Sequence, residues 1–167
     1  LRLNKMINLA QRYVQTNLNG LGMKKWETSD ALLLTSTAKG FAGHDVQISD
    51  LSTDCPNMLE SPNSIIFIQT VDDANAYGIA YEIDIRSFQE QLDNTYLSPT
   101  LTKPVFMRLA NKIFIAPYTV DQAIAYYYKA VTDLSSDSAT TEIPIEFEDF
   151  IIKKTVLDIN EILGKLQ

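Results

Sequence analysis

The chain is poor in the residues that carry most protein chemistry. Its 167 residues include one cysteine, Cys55, and one histidine, His44. A lone cysteine forms no intramolecular disulfide, and one cysteine with one histidine does not make a zinc site, so a fold that relies on neither fits a reducing cytoplasm. No apolar run approaches the roughly 18–20 residues of a membrane helix, and the opening Leu-Arg-Leu-Asn-Lys-Met leads into a polar helical pattern rather than a signal-peptide core. Positive charge is also scarce. Fourteen Lys and Arg face 21 Asp and Glu, a formal charge of −7. That balance repels a polyphosphate backbone and argues against tight wrapping of nucleic acid, while leaving room for DNA to pass nearby without binding. The six glycines make neither a phosphate-binding loop nor a dinucleotide fingerprint. Gly20-Leu21-Gly22 reads as a helix stop.

What remains is an ordinary globular composition, 46% hydrophobic and 21% charged, at a length suited to one domain over residues 1–167. The expected class is α+β: N-terminal helices, an antiparallel β section and a C-terminal helix. Leu3, Met6, Leu9, Ala10, Tyr13 and Val14 recur at helical spacing with Asn4, Gln11, Arg12 and Gln15 between them, which predicts an amphipathic helix ending near Asn19-Gly20. A second helix is predicted from Thr28 or Ser29, whose hydroxyls suit an N-cap, through Leu32, Leu33 and Leu34 to about Lys39, with Gly40 and Gly43 stopping it. Ile48 to Ser64 reads as a long loop. Ser64–Val71 predicts a buried strand, Asp72-Asp73-Ala74-Asn75 a turn, and Tyr77–Ile85 the antiparallel partner. Ser87–Asn94 reads as one or two helical turns, and Pro99 and Pro104 bracket an extended linker.

The clearest β pattern follows. Val105–Leu109, the turn Ala110-Asn111-Lys112 and Ile113–Ala116 predict a hairpin, and Gln122–Ala130 a further strand with Ile124, Tyr126 and Tyr128 on one face and Ala125, Tyr127 and Lys129 on the other. Thr132–Glu142 carries little apolar surface and is expected to be mobile in the free subunit. A C-terminal helix is predicted from about Glu146 to Lys165, with Glu146, Glu148 and Asp149 favoured by the helix dipole in its first turn. Its apolar residues cover more than one face, so it should pack against more than a single layer.

Chemical signals are sparse. His44 stands beside Asp45 without a nucleophile motif and reads as a surface or turn histidine. Glu82 and Asp84, on one face of a predicted strand, could hold a hard cation or act as an acid/base pair, but lack any metal-loop spacing and read as a solvated acidic face. Tyr126-Tyr127-Tyr128 could stack bases, yet without a basic surround they read as strand packing. Cys55 has no neighbouring cation to activate it. No catalytic, cofactor-binding or metal-binding residue is expected, and the chain does not read as an enzyme.

Three ordered pieces carry a resemblance: Lys103-Pro104-Val105-Phe106-Met107-Arg108-Leu109-Ala110-Asn111-Lys112-Ile113-Phe114-Ile115-Ala116-Pro117, then Ala125-Tyr126-Tyr127-Tyr128-Lys129, then Ile143-Pro144-Ile145-Glu146-Phe147-Glu148-Asp149-Phe150-Ile151-Ile152. Their order and spacing resemble the hairpin, strand and helix start of the head–tail adaptor (connector or neck ring) proteins of tailed bacteriophages, of podovirus or crAss-like type. The front end, with its first helix and Trp26 just before the predicted second one, suits that layout. Ala110 stands where the family commonly has Gly. The resemblance implies a virion structural protein, assembled in the host cytoplasm, that forms a homo-oligomeric, dodecameric ring. Such a ring docks under the portal protein, meets tail or neck ring proteins, touches no membrane, and surrounds the DNA exit channel. Part of the C-terminal helix, among Phe147, Phe150, Ile151 and Ile152, is then expected to form an interface with a neighbouring subunit or the portal. A small non-enzymatic binding module or assembly chaperone is the alternative reading.

Overall fold

The computed structural model describes residues 3–17, 24–59, 64–71, 77–136 and 140–165. The predicted helix end at Asn19-Gly20, the Gly20-Leu21-Gly22 stop and the Asp72–Asn75 turn lie outside them. The fold is α+β, and the chain forms two compact units. One comprises Leu1–Glu27, Leu59–Ser61 and Lys129–Gln167, the other Thr28–Met58 and Pro62–Tyr128.

The second unit is built on an eight-stranded sheet. Its strands are β1 (Glu27–Leu32), β2 (Thr35–Phe41), β3 (His44–Asp50), β4 (Ile65–Val71), β5 (Tyr77–Glu82), β6 (Val105–Leu109), β7 (Lys112–Ala116) and β8 (Gln122–Tyr128), in the order β1-β8-β4-β5-β6-β7-β3-β2. The predicted strand pair is present: β4 and β5 run antiparallel with Ile68 opposite Ala80. So is the hairpin of β6 and β7, with Met107 opposite Phe114. β8 pairs with β4, not with the hairpin that precedes it.

Two readings of the front half are corrected. Residues Thr28–Lys39 form no helix; they supply β1 and most of β2. The three leucines suggested a helical face, but the Thr and Ser around them favour strand, where β-branched side chains keep their rotamers and hydroxyls do not compete with a helical backbone. Only Leu32 of the three is buried, and Leu33 is 70% exposed. Gly43, read as a helix stop, sits instead with Ala42 in the tight turn of the β2–β3 hairpin. Ala42 and Gly43 have positive φ, 48° and 89° respectively, the twist that a two-residue type I′ turn demands. The supposed loop from Ile48 begins as the end of β3 and continues as a short helix, α2 (Leu51–Asp54), capped by Asp50, whose carboxylate accepts from the Ser52 N–H at 3.0 Å.

β5 and β6 pair in parallel. A parallel pair needs a crossover, and here it contains α3 (Ile85–Asp93), close to the predicted Ser87–Asn94 turns. The returning chain passes so near β5 that a Cβ on Gly78 would lie 2.6 Å from the Leu101 carbonyl oxygen, a gap only glycine leaves open. The predicted pairing of Glu82 with Asp84 on one strand face does not form. β5 ends at Glu82, and Asp84 caps α3, accepting from the Arg86 and Ser87 N–H groups at 3.0 Å each and from the Ser87 hydroxyl at 2.7 Å. The Ser87 hydroxyl and backbone bonds hold the Asp84 carboxyl below the usual carboxylate range.

The β6–β7 hairpin is buried on both faces. Phe106, Ile113 and Ile115 join Ile68, Ala80, Ala125 and Tyr127 in one core, and Val105, Met107, Phe114 and Ala116 join Val46 and Phe88 of α3 in another. This explains the nearly unbroken apolar runs of these strands. Phe88 closes the second core edge-on to Phe41, with ring centroids 5.3 Å apart.

The first unit holds two helices, α1 (Leu3–Asn17) and α4 (Glu148–Gly164), packed on each other, with a 3₁₀ turn at Ile145–Phe147 leading into α4. The residues read as the polar side of α1 do not all face water: Gln11 and Gln15 are completely buried. The Gln15 amide donates to the Lys129 carbonyl at 2.8 Å and its oxygen accepts from the Val131 N–H at 2.9 Å. Two turns earlier, Asn8 accepts from the Leu134 N–H at 2.8 Å and donates to its carbonyl at 3.3 Å. Between them Gln11 donates to Asn8 Oδ1 at 3.1 Å and accepts from the Thr141 hydroxyl. These side chains, at i, i+3 and i+7, mimic a neighbouring strand along the extended segment after β8.

The described part of Thr132–Glu142, of which residues 137–139 lie outside the described set, makes such polar contacts. Its polarity, which offers little apolar burial, is matched by polar partners. Arg12 donates to Asp133 at 3.1 Å, and the Thr132 hydroxyl donates to Glu142 Oε1 at 2.8 Å. Burial alone would raise the Glu142 carboxyl, but the two Thr132 hydrogen bonds and the Lys129 charge outweigh it and hold its pKa below the ordinary value.

Replacing Gln15 with Met, of similar size but without the amide, strands the Lys129 carbonyl and the Val131 N–H. At about 1–3 kcal/mol for each buried unsatisfied group, Gln15→Met should lower the unfolding free energy in urea by roughly 2–6 kcal/mol. A loss below about 0.5 kcal/mol, the range of an ordinary surface change, would show that the amide does not hold this segment.

Candidate interaction surface

α4 is apolar around most of its circumference, yet only Ile151 and Thr155 are fully buried along it. At about 100° per residue these two share the inward stripe, and the other apolar residues fall on its two sides. On one side Phe147, Phe150 and Leu157, with Tyr13 and Val14 of α1, line a groove between the helices whose polar members are Asn17, Lys153 and Lys154. On the other, Ile159, Ile162 and Leu163 line a second groove with Leu3 and Met6. Phe150 is 63% exposed and Ile152 is 59% exposed. A helix expected to pack against more than one layer thus meets a single helix in its own unit, and its remaining apolar surface faces outward.

The four residues predicted for an interface therefore separate. Phe150 and Ile152 are exposed, on opposite sides of the helix, Phe147 is half-buried with its ring centroid 6.4 Å from that of Phe150, and Ile151 is buried. The sequence pattern did not distinguish them because every one is apolar, and only the position of α1 decides which stripe is covered. Leu157, Tyr13 and the two lysines were not singled out. Their signal was present in the i, i+3/i+4, i+7 spacing of Phe150, Lys153, Lys154 and Leu157.

Electrostatically the first groove is positive within an acidic protein. Lys154 donates to Asp158 at 2.5 Å and its ammonium lies 5.3 Å from the centre of the Tyr13 ring. The Asp158 hydrogen bond is the main reason its pKa is raised. Lys153 is exposed and has no ion pair among the described residues.

The second unit carries an apolar face of its own. Along β4, β5 and β8 the outward positions hold Phe67, Ile79, Tyr81, Ile124 and Tyr126, with Ile79 54% and Tyr81 63% exposed. Phe67 and Tyr126 stack at 4.3 Å, and the Tyr126 hydroxyl donates to Gln69 at 3.2 Å. The tyrosine run is thus divided by the strand pleat, as its alternation predicts: Tyr127 enters the core and donates to Asp30, while Tyr126 is already stacked within the chain.

The residues weighed for chemistry take structural places. His44, at the start of β3, meets Asp93 at the end of α3, with Nε2 to Oδ1 at 2.8 Å, rather than its sequence neighbour. Asp45 accepts from the Lys39 N–H at 2.9 Å. Glu82 remains exposed on β5. Among the described residues no group of three or more His, Cys, Asp and Glu is arranged to hold a metal ion, and no described helix is long and apolar enough to cross a membrane. No family model matches the chain, and no curated protein matches it.

Cys55 follows α2 and is buried beside Asp30 and Asp54. Burial first, and then the two carboxylates, push its thiol up to about 12 from 9.0. Burial and the Asp30 contact raise the Tyr127 phenol in the same direction. At about pH 8 the folded protein should hold roughly a thousandfold less Cys55 thiolate than the unfolded chain, so iodoacetamide should modify it slowly until urea is added. The folded state keeps a proton that the unfolded chain releases, so this contribution to stability is complete below about pH 9 and is lost as pH rises toward about 12. Alkylation as fast in the folded protein as in urea would contradict the burial of the thiol.

Proposed function

We propose that this chain is a virion structural protein of a tailed bacteriophage, a subunit of the ring that joins the portal to the tail and surrounds the DNA exit channel. The observation that carries the reading is α4, buried along one stripe and apolar on both sides of it. An exposed apolar surface of this kind marks an association site, and an obligate interface has the character of a core cut in half. The helix is also the element on which the resemblance to adaptor proteins ends. The charge of −7 suits a channel past which DNA slides, because like charge keeps the backbone from sticking. On this reading the partners are further copies of the chain, the portal protein and the tail or neck ring proteins, and the place of action is the virion. A small binding module or assembly chaperone is favoured by one separate observation, the exposed outer face of β5 at Ile79 and Tyr81.

Alanine variants along α4 distinguish core from interface. Ile151→Ala should destabilise the subunit by about 2–5 kcal/mol, as buried Ile deletions do. Phe150→Ala and Ile152→Ala, both on exposed positions, should change stability by only about 0.5 kcal/mol and yet abolish or sharply weaken docking to the phage portal in vitro. Undiminished docking by both exposed variants, with the wild type docking normally, would remove α4 from the interface.

A further inference from the structure

We draw no further inference here: the strongest candidate, the apolar groove between α1 and α4 lined by Tyr13, Phe150, Lys153 and Leu157, is an unpartnered face, and nothing in the structure shows what covers it.

Discussion

The buried amides of Gln11 and Gln15 are the contacts on which the architecture of the first unit turns. A primary amide offers an acceptor and two donors, and taking it out of water without partners costs several kcal/mol. Gln15 meets that demand by spending its groups on the backbone at Lys129 and Val131. Asn8 does the same at Leu134. The chain leaving β8 is thereby fastened along α1 over its first extended residues, by these polar contacts together with the burial of Val131. Because this segment leads to α4, fastening it also limits where α4 can begin.

Once α4 lies on α1, helical geometry determines how much of it is covered. One helix packed on one neighbour buries a stripe of residues, here Ile151 and Thr155. The apolar side chains to either side, Phe150 and Leu157 on one and Ile152 and Val156 on the other, stay exposed. Exposed apolar surface alongside a buried stripe is the character of an association site. The β unit is organised differently. Its central hairpin is covered on both faces, and polar core groups such as Tyr127 with Asp30 and Ser49 with Asp54 are paired within the fold, while Gln47 Oε1 is buried without a hydrogen-bond partner among the described residues. The groups that looked chemically suggestive, His44, Asp84 and Cys55, are there engaged in a hydrogen bond to Asp93, a helix cap and core packing.

Much of this was legible in the order of residues. The alternation in Gln122–Tyr128, the apolar runs at Ile65–Val71 and Val105–Leu109, and the acidic start of α4 each express a local physical preference, and each produced the element expected. Thr28–Lys39 shows the limit. Leucines at three consecutive positions are compatible with helix or strand, and neighbouring strands β8 and β3 decided the matter by offering hydrogen-bond partners. A buried glutamine is likewise invisible beforehand, because the sequence places Gln11 and Gln15 among polar residues and says nothing of the backbone that comes to meet them from more than a hundred residues away.

By itself the sequence determined the α+β class, most of the strands, the two terminal helices and the scarcity of cysteine and histidine, since these follow from composition and from periods of two and 3.6 residues that a short window contains. Only the tertiary structure decided which of Phe147, Phe150, Ile151 and Ile152 is core, and that lysines rather than acids border the groove beside α1. These are properties of relative position. They depend on which distant segments meet, and no local pattern of residues encodes that meeting.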